Sequence, residues 1–208
     1  MGKRALGAQS SRVVHEAARI ICEDGLTDYR LAKQKAVERL GLGFGTPLPS
    51  NSEVQSAVLQ HQRLFGGPSY TERLRKLRET AVSAMRLLVD YRPRLVGAAA
   101  TGATNDEHRV QLHCFSDQPD GIDWLLHSNG IPFDVTARKP RYPDGEGPEV
   151  PVLNFMADDV GVSVSVFAER DQRRAPLSPV DGHPQKRLDL AAVEALTEES
   201  PEVLGVLI

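Results

Sequence analysis

The residues whose types and spacing could do chemistry lie first of all in the stretch 94–117. An apolar pair there leads into small residues and a Thr101-Gly102 pair, and a polar loop follows. Residues 110–115 then alternate between apolar and other side chains, which is typical of a strand. A strand, a turn of small residues and a second strand can bring backbone amides to a phosphate group. The stretch therefore predicts a phosphate-binding turn at Thr101 and Gly102.

Residues 94–170 resemble the core of the nucleotidyltransferase superfamily, which has the DNA polymerase β-like fold. Its first motif is a hydrophobic residue, a glycine, and a glycine or serine at a helix start. A loop and a strand reading Asp-apolar-Asp/Glu-apolar follow. Two carboxylates two residues apart in a strand point to the same side, and in this superfamily they hold the metal ions of nucleotidyl transfer. The resemblance implies a mixed β-sheet core.

The positions that match the acids of the superfamily carry other side chains in this sequence. Arg109 occupies the first position and Gln111 the second, while Ser163 and Ser165 lie where a third acid is usual. An arginine cannot bind Mg²⁺, but it can hold a phosphate. The resemblance therefore implies a degenerate member, a pseudoenzyme that binds a nucleotide or a nucleic-acid phosphate through the Thr101-Gly102 turn and Arg109.

Retained transferase chemistry would need carboxylates from elsewhere. The acids near the matching positions are Asp106, Glu107, Asp158 and Asp159. They are the candidate catalytic residues, and Mg²⁺ is the expected cofactor only if the protein is catalytic. The sequence leaves open whether the protein is an enzyme.

A cluster of cations at the start of the fourth predicted helix indicates a different class of function. Its members are Arg73, Arg75, Lys76 and Arg78. Residues 1–92 carry 15 basic and 9 acidic side chains, whereas the remaining residues carry 10 and 19. The alternative prediction is therefore a non-catalytic module whose basic helical half contacts RNA or a partner protein. A solvated helix face explains the same pattern.

Sequence-specific DNA recognition is disfavoured. Residues 15–25 resemble the first helix of TetR-type regulators, but the next predicted helix is long and runs into a Gly/Pro loop. A helix-turn-helix needs a short second helix, a tight turn and a recognition helix.

Two further groups of basic residues are interpreted as structural rather than functional. His113 is predicted to be a hydrogen-bonded sheet residue rather than a catalytic base. A proline-rich segment is flanked by cations, for which a flexible charged loop is favoured over closure on an anion. These cations are Arg170, Arg173, Arg174, Lys186 and Arg187.

Hydrophobic periodicity predicts an α+β protein with two domains. Residues 1–92 are predicted to form an N-terminal helical bundle after a loose tail, and residues 93–208 a mixed β-sheet core, which the resemblance implies is nucleotidyltransferase-like. Helix starts are predicted at Ser10 or Ser11, Thr27 or Asp28, Ser52, and Ser69 or Thr71. Strands are predicted at 94–99, 109–116, 133–138, 150–156 and 160–167, and a last helix at 188–196 with Asp189 as its cap.

Composition indicates the cellular location of the protein and the redox state of its cysteines. Apolar runs are far shorter than a bilayer span, and no apolar segment follows the basic residues at the N-terminus, so neither a membrane partner nor a secretory signal is predicted. The two cysteines, Cys22 and Cys114, lie in apolar surroundings. We therefore expect buried, reduced thiols in a cytoplasmic bacterial protein.

Overall fold

The first part of the chain is helical, and the second part forms a sheet with helices around it. A computed structural model describes residues 3–43, 45–118 and 120–198. Its helices are α1 (Lys3–Glu23), α2 (Tyr29–Arg39), α3 (Asn51–Phe65), α4 (Gly67–Leu87), α5 (Gly97–Thr101), α6 (Asp120–Ser128) and α7 (Leu190–Glu198). Its strands are β1 (Arg94–Val96), β2 (Val110–Phe115), β3 (Phe133–Arg138), β4 (Arg141–Tyr142), β5 (Gly145–Glu146), β6 (Val150–Ala157) and β7 (Val160–Phe167). The predicted α+β class is confirmed.

Side-chain caps decide where two of the helices begin. Asp28 accepts hydrogen bonds from the backbone N–H groups of Arg30 and Leu31, at 2.7 and 3.0 Å, and so starts α2. Ser50 and Glu53 form a capping box at the start of α3. These bonds satisfy N–H groups that have no partner within the helix. Helix α3 consequently begins slightly before the predicted Ser52.

Two other helices begin earlier than the sequence predicts. Helix α4 starts at Gly67, although a start at Ser69 or Thr71 is predicted. Pro68 does not prevent this, because a proline in the first helical turn lacks only an N–H that would be unpaired anyway. Helix α1 starts at Lys3, where a loose tail is predicted, because this segment is rich in good helix formers. Among the described residues, no helix combines the length and apolar character that crossing a bilayer requires.

The first predicted strand is shorter than expected. Strand β1 ends at Val96, and Gly97 takes a φ of +73°, a conformation that glycine adopts without strain. The alanines that follow form helix α5 instead of continuing the strand to Ala99. Alanine has the strongest intrinsic preference for helix, so this outcome is local in origin.

The main sheet is mixed, with the strand order β1-β2-β7-β6-β3. The β2–β7 pair is parallel, and the other neighbouring pairs are antiparallel. In this register Gln111 lies opposite Ser163, which in turn lies opposite Asn154. Strands β4 and β5 pair separately as a small hairpin.

By compactness the chain divides within α4, between Arg73 and Leu74. The helical unit comprises the chain up to Arg73 together with residues 103–108 and 179–182. The sheet unit comprises Leu74–Gly102, Arg109–Ser178 and the chain from His183 onward. The predicted domain boundary at residue 92 stays a prediction.

Each unit has an apolar core of its own. In the helical unit, α1 packs on α2 and α3 through buried residues that include Ile20, Ala32 and Val58. In the sheet unit, α4 from Leu74 onward and α6 bury one face of the sheet, with Leu112 and Val164 among the residues enclosed. Covering that face leaves the opposite face of the sheet for other interactions.

Candidate functional site

The face of the sheet opposite the core carries most of the polar side chains of the strands, and we call it the polar face. On β2, Val110, Leu112 and Cys114 lie in the core, so the alternate residues Gln111 and His113 belong to the polar face. The pairing register adds Ser163 and Ser165 from β7, Asn154 from β6, and Asp134, Thr136 and Arg138 from β3.

Hydrogen bonds connect this face across three strands. The Ser163 hydroxyl donates to Asn154 Oδ1 at 2.7 Å, and Asn154 Nδ2 donates to Thr136 Oγ1 at 3.1 Å. Gln111 stands at the end of this row, opposite Ser163. The hydrogen-bonded row therefore holds amide and hydroxyl groups, and the register places the exposed carboxylate of Asp134 beside it, opposite Asn154.

Arg109 reaches onto the polar face across a glycine. A Cβ at Gly161 would lie 2.7 Å from both Nε and Cζ of Arg109. Nη2 of Arg109 makes only a long contact of 3.5 Å with the Val162 carbonyl. Arg109 is exposed. The absence of a side chain at residue 161 therefore determines where the Arg109 guanidinium lies.

The predicted phosphate-binding turn lies at the far end of helix α5. Gly102 has a φ of +87° and caps the C-terminus of the helix, where its N–H donates to the Ala98 carbonyl at 2.8 Å. The Thr101 hydroxyl donates to the same carbonyl at 3.3 Å. A helix C-terminus carries partial negative charge, whereas anions prefer the N-terminus. Electrostatically, this placement suits a cation better than a phosphate.

The four predicted catalytic acids are divided between the two units. Asp106 and Glu107 belong to the helical unit, whereas the turn and Arg109 belong to the sheet unit. Asp106 is exposed and forms an ion pair with Arg73. The backbone N–H of Glu107 donates to Asn105 Oδ1 at 3.1 Å, which closes the local turn.

Asp158 and Asp159 form the turn between β6 and β7, and both are exposed. Asp158 has a φ of +53°, which aspartate tolerates better than most residues. Asp159 accepts a hydrogen bond from Lys76 Nζ at 2.5 Å, and this bond lowers the pKa of the Asp159 carboxyl. Among the described residues, no group of three or more His, Cys, Asp or Glu side chains is arranged to hold a metal ion.

The predicted nucleic-acid contacts on α4 all have partners within the protein. Arg73 pairs with Asp106, Arg75 with Glu79 at 2.5 Å, and Lys76 with Asp159. Arg78 differs, because its guanidinium donates to the carbonyls of Ala99 and Leu196 at 3.3 and 3.2 Å. Carboxylates therefore offset three of the four charges, and the fourth residue, Arg78, connects α4 to α5 and α7.

His113 is the most deeply buried polar residue of the polar face, with 1% of its surface exposed. Arg138 Nη2 lies 2.8 Å from its Nε2, and Arg187 Nε lies 3.1 Å from its Nδ1. Burial, with the positive charges of these two arginines, lowers the pKa of His113 to about 2. The imidazole is therefore neutral at ordinary pH. We call these three residues the arginine–histidine cluster.

Aromatic rings and backbone carbonyls hold the arginines of this cluster. The Arg187 guanidinium lies over the Phe115 and Phe167 rings, 4.9 and 5.3 Å from their centroids, and that of Arg138 is 5.7 Å from Phe167. Arg187 Nη1 donates to the carbonyls of Asp171 and Gln172, both at 3.1 Å. Arg187 is thus anchored in the segment for which a flexible charged loop is predicted.

The sequence does not single out Arg138 as a site residue, and it assigns Arg187 only to a charged loop. The available signal is weak: Arg138 ends β3 on the same parity as Thr136, which places both on one face. The contact of Arg138 with His113 depends on the strand order, which no local pattern in the sequence specifies.

No protein-family model and no curated protein matches this sequence. The likeness to nucleotidyltransferases therefore depends on the motif positions within residues 94–170 alone.

Proposed function

We propose that this protein is a nucleotidyltransferase-like binding protein that holds the phosphate of a nucleotide or nucleic acid on the polar face and works without the metal-binding acids of that superfamily. The supporting observation is that Arg109, Gln111 and Ser163 occupy the matching positions on one face of the sheet. They provide N–H and O–H donors where the superfamily has carboxylates. Donors attract a phosphate, and a guanidinium repels Mg²⁺.

Arg109 is the principal anchor in this proposal. Its side chain is exposed, and its one hydrogen bond to the protein among those described, to the Val162 carbonyl, is long. A guanidinium has five N–H donors in a planar fork that matches two phosphate oxygens. The Thr101-Gly102 turn contributes less, because the helix carbonyls at that end disfavour an anion.

The test is a calorimetric titration of the full chain with AMP, ATP and a short RNA oligonucleotide, repeated with the Arg109→Gln variant. Loss of a charge-assisted hydrogen bond predicts at least a roughly tenfold weaker affinity. Arg170→Gln is the matched control, because it removes an exposed arginine from a different part of the chain. We expect the affinity for AMP to be the same in Mg²⁺ and in EDTA.

Two results would contradict the proposal. If no nucleotide or RNA binds and none shifts the melting temperature, the phosphate-binding function is excluded. If labelled nucleotide is incorporated in a Mg²⁺-dependent reaction that Asp158→Ala and Asp159→Ala abolish, the protein is an active transferase and the non-catalytic function is wrong.

A further inference from the structure

We propose that the arginine–histidine cluster is a second anion site, which binds a phosphate oxyanion as inorganic phosphate or as the terminal phosphate of a phosphomonoester. The cluster centres on His113, two residues along β2 from Gln111, and all its members belong to the sheet unit. The proposal rests on the contacts of this cluster and does not require the nucleotide ligand proposed for Arg109.

The first argument is a mismatch of hydrogen-bond donors at His113. Both ring nitrogens face arginine N–H groups, at 2.8 and 3.1 Å. A neutral imidazole accepts at one nitrogen and donates at the other. At most one of the two arginines can therefore donate to the ring, and the other faces an N–H group. The imidazole alone cannot satisfy both guanidinium groups.

The second argument concerns buried donors without a partner. Among the described residues, Arg138 Nε and Arg187 Nη2 are buried guanidinium atoms for which the protein supplies no hydrogen bond. A buried donor without a partner lowers stability, and more so when it is charged. Each side chain as a whole is half-buried, although these two nitrogens themselves are shielded from solvent. An oxyanion between the two arginines would supply the missing acceptors.

The third argument is charge balance. Among the residues that the structure describes, no ion pair joins Arg138 or Arg187 to a carboxylate. Several exposed arginines, in contrast, do have a carboxylate partner. Burial lowers the pKa of Arg187, and this effect outweighs the longer-range influence of Tyr142 and Asp171, which raises it. Arg94 adds a third positive charge nearby, although it pairs with Asp189 at 3.3 Å.

The fourth argument is preorganisation. Two carbonyls and two aromatic rings hold the Arg187 guanidinium, and the Phe167 ring also lies near Arg138. Long basic side chains usually lose rotamer freedom on binding, and that cost is reduced when the side chain is already held.

The charge and the geometry favour phosphate over a carboxylate. Two guanidinium groups lie against the two nitrogens of one imidazole, so the cluster carries two positive charges on separate side chains. A tetrahedral anion offers oxygens in several directions, and a doubly charged anion balances two positive charges, whereas a carboxylate is planar and carries one. Arginine forks are well suited to phosphate oxygens.

The experiment measures the melting temperature of the full chain as inorganic phosphate is added up to roughly 10 mM, against chloride at equal ionic strength. We expect phosphate to raise it in the wild type and in the control Lys139→Met, which removes the adjacent exposed cation. We expect no increase in Arg138→Met or in Arg187→Gln. Without phosphate, we expect Arg138→Met to melt at or above the wild-type temperature, because an uncompensated buried charge is removed.

A second measurement does not depend on the stability of the variants. In ¹⁵N-labelled protein, bound phosphate should shift the imidazole resonances of His113, assigned with His113→Gln, and leave those of exposed His15 unchanged. A phosphate-dependent shift of His113 supports the site. If neither the melting temperature nor the His113 resonances respond, the buried donors are satisfied by water and the inference is wrong. It is equally wrong if the response persists in both arginine variants.

Nucleotide titrations separate this inference from the proposed function. If inorganic phosphate requires Arg138 and Arg187 while nucleotides bind no more tightly than phosphate, the anion site stands and the nucleotide function falls. If nucleotide binding requires Arg109 but phosphate has no effect at the cluster, the anion site falls and the proposed function stands. The same titration with a phosphomonoester lacking a base distinguishes the two sources of phosphate.

Discussion

The guanidinium of Arg109 lies across Gly161, so close that a Cβ on residue 161 would be 2.7 Å from Arg109 Cζ. A glycine in a strand interior weakens the strand and often marks a site of close approach. Here the approaching group is a side chain from the start of the neighbouring parallel strand. The pair makes Gly161 a positional requirement for the proposed phosphate anchor.

Gly161→Ala should therefore displace Arg109 without unfolding the sheet. The group that must move is the end of a flexible side chain, so we expect the free energy of unfolding to change by less than about 1 kcal/mol. Nucleotide affinity should fall to the level of Arg109→Gln. Calorimetric titration measures the affinity, and Gly43→Ala is the control because a Cβ there meets no other atom within 4 Å. Unchanged affinity would mean that Arg109 does not anchor the ligand from its observed position.

Asn105 should be essential to the stability of the helical unit. Its Nδ2 donates to the carbonyls of Ile21 and Leu26, at 2.8 and 2.9 Å, and the residue is 1% exposed. In Asn105→Ala these two carbonyls lose their donor, so we expect unfolding to cost about 2–4 kcal/mol less in a urea titration. Asn129→Ala removes an exposed bond to Leu125 and should cost much less. Equal losses in the two variants would contradict the anchoring role of Asn105.

His113 should make stability depend on pH. The pKa of His113 is lowered to about 2 in the folded protein, against an ordinary value near 6.5. Between these two pH values the unfolded chain binds a proton at His113 that the folded chain does not bind. Stability should therefore fall as the pH falls, with His113 contributing about 1.5 kcal/mol between pH 6.5 and 5.

Urea unfolding of wild type and His113→Gln across this range measures the contribution. Burial also lowers the pKa of His108, which acts in the same direction, so the difference between the two proteins isolates His113. His15→Gln is the exposed control. A wild type and His113→Gln with parallel pH profiles would show that the folded imidazole is protonated more readily than its surroundings indicate.

Arg78 should behave as a structural residue. Its guanidinium donates to the carbonyl of Ala99 in α5 and to that of Leu196 in α7, so Arg78→Ala removes a donor from each of these helices. We expect the free energy of unfolding to fall by about 1–3 kcal/mol. Arg75→Ala removes an exposed pair with Glu79 and should change it by less than about 0.5 kcal/mol.

RNA binding provides the contrasting measurement for the same variants. If the cations of α4 form a nucleic-acid surface, Arg75→Ala should weaken salt-dependent RNA binding although it leaves stability unchanged. Because carboxylates already pair with Arg75 and Lys76, we expect no such loss in a filter-binding assay.

Much of the local structure could be predicted because neighbouring residues determine it. Asp28, one of the two predicted caps, starts α2, and Asp189 accepts a hydrogen bond from the Ala192 N–H near the start of α7. Strand β7 covers the predicted residues 160–167, since its alternating valines report one buried face. The predicted strand at 94–99 was wrong beyond Val96, because a short run of small residues does not distinguish strand from helix.

The candidate site was only partly predictable, and the reason is distance along the chain. The sequence by itself determined which side chains occupy the positions compared in the proposed resemblance, so Arg109 and Gln111 could be identified there directly. Only the tertiary structure placed Thr101 and Gly102 at a helix C-terminus and assigned Asp106 to the helical unit.

Tertiary structure alone also decided the arginine–histidine cluster. Arg138 follows His113 by 25 residues and Arg187 follows it by 74. Periodicity indicates the face on which a strand residue lies, but not which strand becomes its neighbour. The strand order and the path of the segment before α7 brought two arginines to one buried imidazole. There the buried guanidinium atoms without acceptors form the anion site that we propose.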